Sequence, residues 1–297
     1  MAAARRRIPR AVFDYVDGGA DEEVTLARNR AAFHEWKLVP SNLRDVSAID
    51  PSIELLSAHC ALPLVLAPTG YTRMMHPQGE LAVARAAGRA GLPYALSTVA
   101  SSSIEQLAAT EHPDLWFQLY IWRDRGMTYD LVTRAWDAGY RVLEVSVDVP
   151  VAGRRLRDAR NGLTIPPQLS GRALLDIAMH PGYWIAMLRG PALSFANAPP
   201  GVDGEGGVTI ENMTARFDPS ITWDDLADLR QRWPGRMLVK GLIRPEEVSR
   251  VVAVGADGIH LSNHGGRQLD RAPATIELLP ALREAAPEGL VIVLDSG

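Results

Sequence analysis

A (β/α)8 barrel is the fold class this sequence predicts, and three observations predict it. Short runs rich in Val, Ile, Leu and aromatics recur along the chain. Helical patterns ending at a glycine separate most of them. Polar or charged residues stand at the C-terminal end of nearly every run. Near-continuous apolar runs are the signature of strands buried on both faces of a parallel sheet. Strand–helix–strand units pair in parallel through right-handed crossovers. A barrel builds its active site from the C-terminal ends of many strands, so the placement of the polar residues favours it over an open doubly wound sheet.

The strand runs, in order, are 62–67, 94–98, 115–120, 142–148, 237–241, 258–262 and 291–295. Helices are predicted over 80–90, 129–138 and 245–254, each followed by a glycine (Gly91, Gly139, Gly255). Glycine at that position accepts the left-handed conformation that closes a helix. Pro245 suits a first helical turn. The chain ends at Gly297, just after the seventh run, so the expectation is a barrel truncated after its seventh strand.

Two regions depart from the rhythm. Residues 1–61 read as an N-terminal helical cap, with helices near 9–17 and 22–33. Residues 149–236 read as an insertion, with Pro166-Pro167, Pro181-Gly182, Pro199-Pro200-Gly201 and a glycine-rich stretch at 204–207. A connection this long is usually functional or disordered, and mobility is expected near 199–207. Tyr183-Trp184-Ile185 reads as a core anchor rather than a membrane-surface contact, because no basic amphipathic helix surrounds it. The domain reading is one unit over 1–297, an incomplete barrel at 62–297 carrying the cap and the insertion.

Composition sets limits. Of 297 residues, 47% are apolar and 22% charged, which are globular proportions. A net charge of −4 gives no electrostatic case for a nucleic-acid partner. The basic Arg5-Arg6-Arg7 runs into Ile8-Pro9-Arg10 rather than an apolar stretch, so it does not read as a signal peptide, and no 18-residue apolar run is present. Cys60 is the single cysteine, so no intrachain disulfide can form, and a reducing, cytoplasmic setting fits. Of 31 basic residues, only Lys37 and Lys240 are lysines. Lysine does chemistry that arginine cannot.

The strongest local signal is Ser262-Asn263-His264-Gly265-Gly266-Arg267-Gln268-Leu269-Asp270, directly after a strand run. The glycines allow a tight turn and close backbone approach. His264 can take a proton near neutral pH, and Arg267 can grip a carboxylate with two parallel bonds. The plain alternative is a loop histidine acting as a cap. His260, four residues earlier, lacks the Cys or carboxylate at ligand spacing that a metal site would need. Lys240 ends a strand run, where a buried ammonium requires an anion or acceptor; the alternative is a lysine reaching to solvent. Asp148 ends another run and could orient a histidine, or simply cap a helix. Arg154, Arg155 and Arg157 follow it. Gln118 and Tyr120 alternate onto one face of their strand. Ala67-Pro68-Thr69-Gly70 and Leu96-Ser97-Thr98 offer small side chains and free amides suited to a flat polar heterocycle. No dinucleotide-type GxGxxG opens a helix, and no GxxxxGK loop is present.

Taken together, these motifs resemble the FMN-dependent 2-hydroxy-acid oxidases and dehydrogenases, a family that includes glycolate oxidase, mandelate dehydrogenase and respiratory L-lactate dehydrogenase. The resemblance runs from about Pro9 to Gly297. It opens at Phe13-Asp14-Tyr15-Val16-Asp17-Gly18-Gly19-Ala20, continues through Thr25-Leu26 and Asn29-Arg30, and is most specific at Ser262–Asp270. The stretch Gly153-Arg154-Arg155-Leu156-Arg157-Asp158 with Asn161-Gly162 most resembles bacterial respiratory L-lactate dehydrogenases.

The resemblance implies oxidation of an L-2-hydroxy acid, L-lactate in the first instance, to the 2-oxo acid. FMN would be the cofactor, with electrons passing on to a quinone, a cytochrome or O2. It implies His264 as base and Asp148 as the residue that steadies it. It also implies Arg155, Arg267, Tyr15 and Tyr120 as substrate contacts. Pro68, Thr69, Gly70, Ser97, Gln118, Tyr120, Ser146, Lys240, Ser262 and Asp295 would hold FMN, with Lys240 supplying a catalytic positive charge. Gly70 would leave space beside the flavin, while Val99, Met74 and the segment after Arg155 would shape the side-chain pocket. The family's phosphate anchors lie beyond the seventh strand, so a non-catalytic remnant is the alternative of another class. A homo-oligomer, tetrameric by analogy, and a peripheral contact at the inner face of the membrane complete the expectations.

Overall fold

The structure, a computed structural model, describes residues 2–56, 58–161, 175–176, 178–198 and 213–297. Gly162, Pro166-Pro167 and the stretch 199–207 lie outside the described residues.

Three helices open the chain: α1 (Ala2–Arg7), α2 (Arg10–Asp17) and α3 (Val24–Ala31). An antiparallel hairpin follows, formed by β1 (Ile53–Leu55) and β2 (Ala58–Cys60). Then come α4 (Gly79–Arg89), β3 (Tyr94–Ser97), α5 (Ile104–Ala108), β4 (Leu115–Leu119), α6 (Arg125–Asp137) and β5 (Val142–Ser146). The long connection contributes α7 (Leu156–Asn161), α8 (Pro181–Arg189) and α9 (Trp223–Arg232). β6 (Arg236–Lys240), α10 (Val248–Ala253), β7 (Gly258–Leu261), α11 (Thr275–Ala285) and β8 (Val291–Leu294) complete the order.

Strands β3 to β8 form one parallel sheet in sequential order. A doubly wound sheet reverses its strand order at a switch point. One-way winding is the barrel arrangement. The two faces of the sheet bury different sets of residues. Leu96, Phe117, Leu119, Leu143, Val145, Met237, Val239, Ile259 and Leu261 pack outward against the helices. Ala95, Trp116, Val142 and Leu238 point into the lumen. A fully buried side chain of this size contributes about 1.5–3 kcal/mol of hydrophobic stabilisation.

The expected first strand at 62–67 is reduced to a single bridge between Leu66 and Tyr94. Pro63 has no N–H to donate, and the Leu64 N–H turns back to the Leu62 carbonyl at 2.7 Å. Only Leu66 reaches β3, through its N–H to Pro93 O and its carbonyl to the Ala95 N–H, both at 3.0 Å. The 1–61 cap is likewise not helical throughout. Its β1–β2 hairpin brings Leu55 and Leu56 against the lumen layer of Trp116, Val142 and Leu238.

Helix ends depart from expectation for local reasons. α6 begins at Arg125 because the Asp124 carboxylate accepts the Gly126 N–H at 2.8 Å, an N-cap. The 245–254 pattern splits into a 3-10 turn, Pro245–Glu247, and α10. α5 was not expected; Ser103 and Gln106 close a capping box at its start. The Tyr183-Trp184-Ile185 cluster sits on α8, which buries no residue fully. Tyr183 packs against the core and is anchored by its hydroxyl to Met74 O at 2.6 Å, as the core reading expects, whereas Ile185 of the same cluster is exposed. Among the described residues, no helix is long and apolar enough to cross a membrane.

The N-terminal motif docks onto the loop after β7. Ala20 N–H donates to Gly266 O at 2.8 Å, and Thr25 N–H to Asp270 Oδ1 at 2.8 Å. The side-chain amides of Asn29 and Asn263 exchange two bonds, 2.9 and 2.7 Å, in a buried setting. Gly266 permits this approach: a Cβ there would fall 2.7 Å from Leu26 N. Two sequence motifs some 240 positions apart are thus one structural unit.

Candidate active site

The loop after β7 turns through three successive left-handed residues: His264 (φ 58°), Gly265 (φ 66°) and Gly266 (φ 70°). That conformation strains a histidine and is found where surrounding bonds enforce it. The enforcing bonds are present. The N–H groups of His264, Gly265 and Gly266 donate to Ser262 Oγ (3.0 Å), Ser296 Oγ (2.9 Å) and Asn263 Oδ1 (3.1 Å).

The turn aims the His264 ring across the mouth of the sheet. Its Nδ1 lies 3.0 Å from Asp148 Oδ2, and its Nε2 lies 3.5 Å from the Tyr120 hydroxyl. With Nδ1 occupied by the carboxylate, Nε2 is the nitrogen left facing the cavity. Asp148 is buried behind His264. Burial alone would raise its pKa, but the His264 charge and hydrogen bond, with the Lys240 charge, hold the carboxyl below its usual range. Gly241 makes room for this carboxylate. It has φ 91°, and a Cβ there would fall 2.4–2.7 Å from the Asp148 side chain.

Two guanidinium groups stand on the opposite side. Arg155, at the start of α7, is held through Nε by Asp158 at 2.7 Å. Arg267 Nη1 donates to Tyr15 O and Gly18 O, both at 2.7 Å, at the end of α2. Both cations lie over the Tyr15 ring, at 5.5 and 5.0 Å from its centroid. Burial, with the Arg155 charge, lowers the Arg267 pKa.

Lys240 forms the floor. It is 4% exposed, and its Nζ donates to Ser262 Oγ at 2.8 Å and Asp295 Oδ2 at 2.7 Å. Burial would lower its pKa, but the charges of Asp295, Asp148 and Glu144 outweigh that and raise it. Beside it, Gln118 bridges Ser97 Oγ (2.9 Å) and Ser146 Oγ (3.0 Å).

These groups enclose a cavity of about 360 Å3, within the range of small-molecule sites. Tyr15, Pro68, Thr69, Gly70, Ser97, Gln118, Tyr120, Arg155, Lys240, His264, Arg267 and Asp295 all line it. Asp148, Ser146 and Ser262 do not; they stand behind His264, Gln118 and Lys240 and fix them from the rear. Gly70 lines the cavity, and a Cβ there would meet Val99 Cγ2 at 2.6 Å, so Gly70 and Val99 pack closely on this wall. One expectation is corrected. Met74 is buried in the core, and its neighbour Met75 lines the cavity.

Sequence reasoning missed Phe195, Met213 and Phe217, which supply apolar wall from the long connection. Phe217 stacks on Tyr120 with centroids 4.5 Å apart. It also missed Ser296, whose hydroxyl holds the histidine turn. No spacing signal links these residues to the motif they serve.

Residues 4–297 match the family model described as FMN-dependent dehydrogenase. The chain belongs to the FMN-dependent dehydrogenase family. Among curated relatives of this family, a Mycobacterium tuberculosis protein with a provisional L-lactate dehydrogenase name is 47% identical over 99% of this chain and 70% of its own length. The (S)-mandelate dehydrogenase of Pseudomonas putida is 39% identical over 99% of this chain and 74% of its own length. The crystal structure of monotopic membrane protein (S)-mandelate dehydrogenase superposes with TM-score 0.93 at 38% identity, covering 100% of this chain and 79% of that one. A mandelate oxidase structure with (S)-4-hydroxymandelic acid gives TM-score 0.85 at 37% identity, covering 99% and 77%.

The family's cofactor fits the residues present. A flat heterocycle that gains negative charge on reduction is matched by a buried ammonium on the cavity floor, an amide from Gln118 beside it, and the small residues Pro68–Gly70 and Ser97 along one wall.

Proposed function

We propose that this chain oxidises an L-2-hydroxy acid, L-lactate in the first instance, to the corresponding 2-oxo acid, and passes the electrons to a quinone or cytochrome. The observation that carries the proposal is the convergence of His264, Arg155, Arg267, Tyr120 and Lys240 on one cavity, with Asp148 behind the histidine. FMN, when bound, supplies the two-electron acceptor. The substrate carboxylate is held by Arg155 and Arg267, with Tyr15 packed between and beneath them. His264 Nε2 takes a proton from the hydroxy acid, and Asp148 stabilises the resulting imidazolium through Nδ1. Tyr120 positions the reacting end, since its hydroxyl already faces Nε2. Lys240 presents a fixed positive charge at the floor, an electrostatic arrangement set before reaction. Tyr71, Phe195, Met213 and Phe217 give the side-chain end an apolar surround that excludes water.

Purified protein should be yellow, and anaerobic L-lactate should bleach it. His264→Ala should abolish bleaching while retaining colour; normal flavin reduction in that variant would refute the assignment. A colourless protein would instead favour the non-catalytic alternative. Reoxidation by a quinone analogue faster than by air supports the dehydrogenase reading, and the reverse supports an O2-using oxidase. Peripheral contact at the inner face of the cell membrane belongs to the same proposal. It is supported by exposed Leu175, Met179, Ile185 and Leu188 on and before α8, and is read by co-sedimentation with anionic vesicles.

A further inference from the structure

Beneath Lys240 the lumen holds two ionisable residues that the proposed chemistry does not use. Barrel interiors are ordinarily filled by layers of branched apolar side chains. Here the layer below the cavity contains Glu144 on β5 and His260 on β7, 0% and 1% exposed. His260 Nδ1 lies 2.9 Å from Glu144 Oε1, and its Nε2 lies 3.1 Å from Asp295 Oδ2. The Asp295 oxygen is the one that also accepts Lys240 Nζ at 2.7 Å. Each ring nitrogen therefore faces a carboxylate oxygen, Nδ1 in a hydrogen bond and Nε2 in an ion-pair contact that is not aligned as a hydrogen bond. A neutral ring would turn a lone pair toward one of these oxygens, whereas a ring protonated at both nitrogens meets each with an N–H. Taking ionisable groups out of water costs several kcal/mol unless they are paired, so this cluster departs from the ordinary filling of a barrel lumen.

The sharing of one oxygen has an electrostatic consequence. Lys240 and His260 share a single Asp295 carboxylate, and Glu144 is a second carboxylate, one that does not line the cavity as Asp295 does. A carboxylate divided between two cations neutralises each less completely. We infer that His260 is a positioning residue that, clamped as a cation between Glu144 and Asp295, draws the Asp295 charge away from Lys240 and so strengthens the positive field Lys240 presents to the cavity. A stronger field at the floor favours the reduced cofactor. The inference rests on the FMN reading of the cavity, and it adds a residue that touches neither substrate nor cofactor.

Two measurements test it. In the first, nitrogen-15 NMR of ring-labelled histidine near neutral pH, which needs no cofactor, should show both His260 nitrogens protonated; a neutral ring would overturn the inference. In the second, FMN-loaded His260→Gln should shift the reduction equilibrium roughly tenfold toward the oxidised cofactor, about 30 mV for a two-electron couple. An unchanged or raised midpoint potential would overturn it. If His260→Gln fails to fold because Glu144 loses its partner, the paired variant E144Q/H260Q keeps two hydrogen-bonding amides in the same space, and a drop in the same direction is expected. A merely structural role would lower thermal stability and leave the potential where it was. A protein that takes up no FMN would defeat the cofactor reading instead, and the nitrogen spectra would still decide the charge of His260.

Discussion

His264 Nδ1 stands 3.0 Å from Asp148 Oδ2, with the carboxylate buried behind the ring and the other ring nitrogen turned toward the Tyr120 hydroxyl. One residue comes from the loop after β7, the other from just beyond β5, and the parallel sheet brings both to the same mouth. The contact fixes the orientation of the imidazole and places a buried carboxylate against its Nδ1.

Asp148→Asn keeps the shape of this contact and removes its charge. Flavin reduction under anaerobic conditions should slow by about 10²–10⁴-fold, the usual worth of a positioned acid–base group. Substrate binding should change little, because the guanidinium groups are untouched. Stopped-flow traces across substrate concentrations separate the two effects.

Gly241→Ala tests the seat of that carboxylate. A Cβ at φ 91° falls within 2.4–2.7 Å of Asp148 atoms, so the substitution must displace Asp148 as well as strain the backbone. The left-handed conformation alone costs about 1–2 kcal/mol for a residue with a side chain. A lower melting temperature should accompany slower flavin reduction, and wild-type rates would contradict the packing.

Arg155→Lys should raise KM for the hydroxy acid roughly tenfold or more while leaving the fold intact, since lysine cannot form two parallel bonds to a carboxylate. Arg267→Lys should do the same and also destabilise the protein. Arg267 Nη1 ties the loop after β7 to the carbonyls of Tyr15 and Gly18, whereas the described side-chain hydrogen bond of Arg155 is local, to Asp158. Steady-state kinetics with thermal melts distinguishes the variants.

Stability should fall on the acid side as Asp295 titrates. Burial would raise the Asp295 pKa, but the charges of Lys240 and His260 hold it far below its usual range. A depressed folded pKa adds stability above the unfolded value of about 3.9, and that stability is lost as pH falls through the folded value. The His260 pKa is raised, because Glu144 and Asp295 outweigh burial and the Lys240 charge. Its contribution is complete below about 6.5 and is lost as pH rises through the raised value. Asp295→Asn should therefore cost about 3–5 kcal/mol near neutrality, as loss of one partner of a buried pair does. The deficit should shrink in strongly acidic solution. Urea unfolding across pH reads both limbs.

The sequence by itself determined the barrel class, six of the seven expected sheet strands to within two residues at either end, and the motif that carries His264 and Arg267. These features are local. Alternation and apolar runs follow from the two-residue period of a strand, and a glycine-rich turn follows from the φ values it must adopt. The scarcity of lysine singled out Lys240 before any contact was known.

Only the tertiary structure decided which distant residues share a wall. Phe195, Met213 and Phe217 reach the cavity from the connection after β5, Ser296 holds the histidine turn, and Asn29 pairs with Asn263. It also reduced residues 62–67 to one bridge and set Glu144 and His260 against each other in the lumen. The physical reason is the same in each case. A parallel barrel makes neighbours of residues separated by a helix or more of chain, and their contacts depend on packing across strands rather than on any period along the sequence.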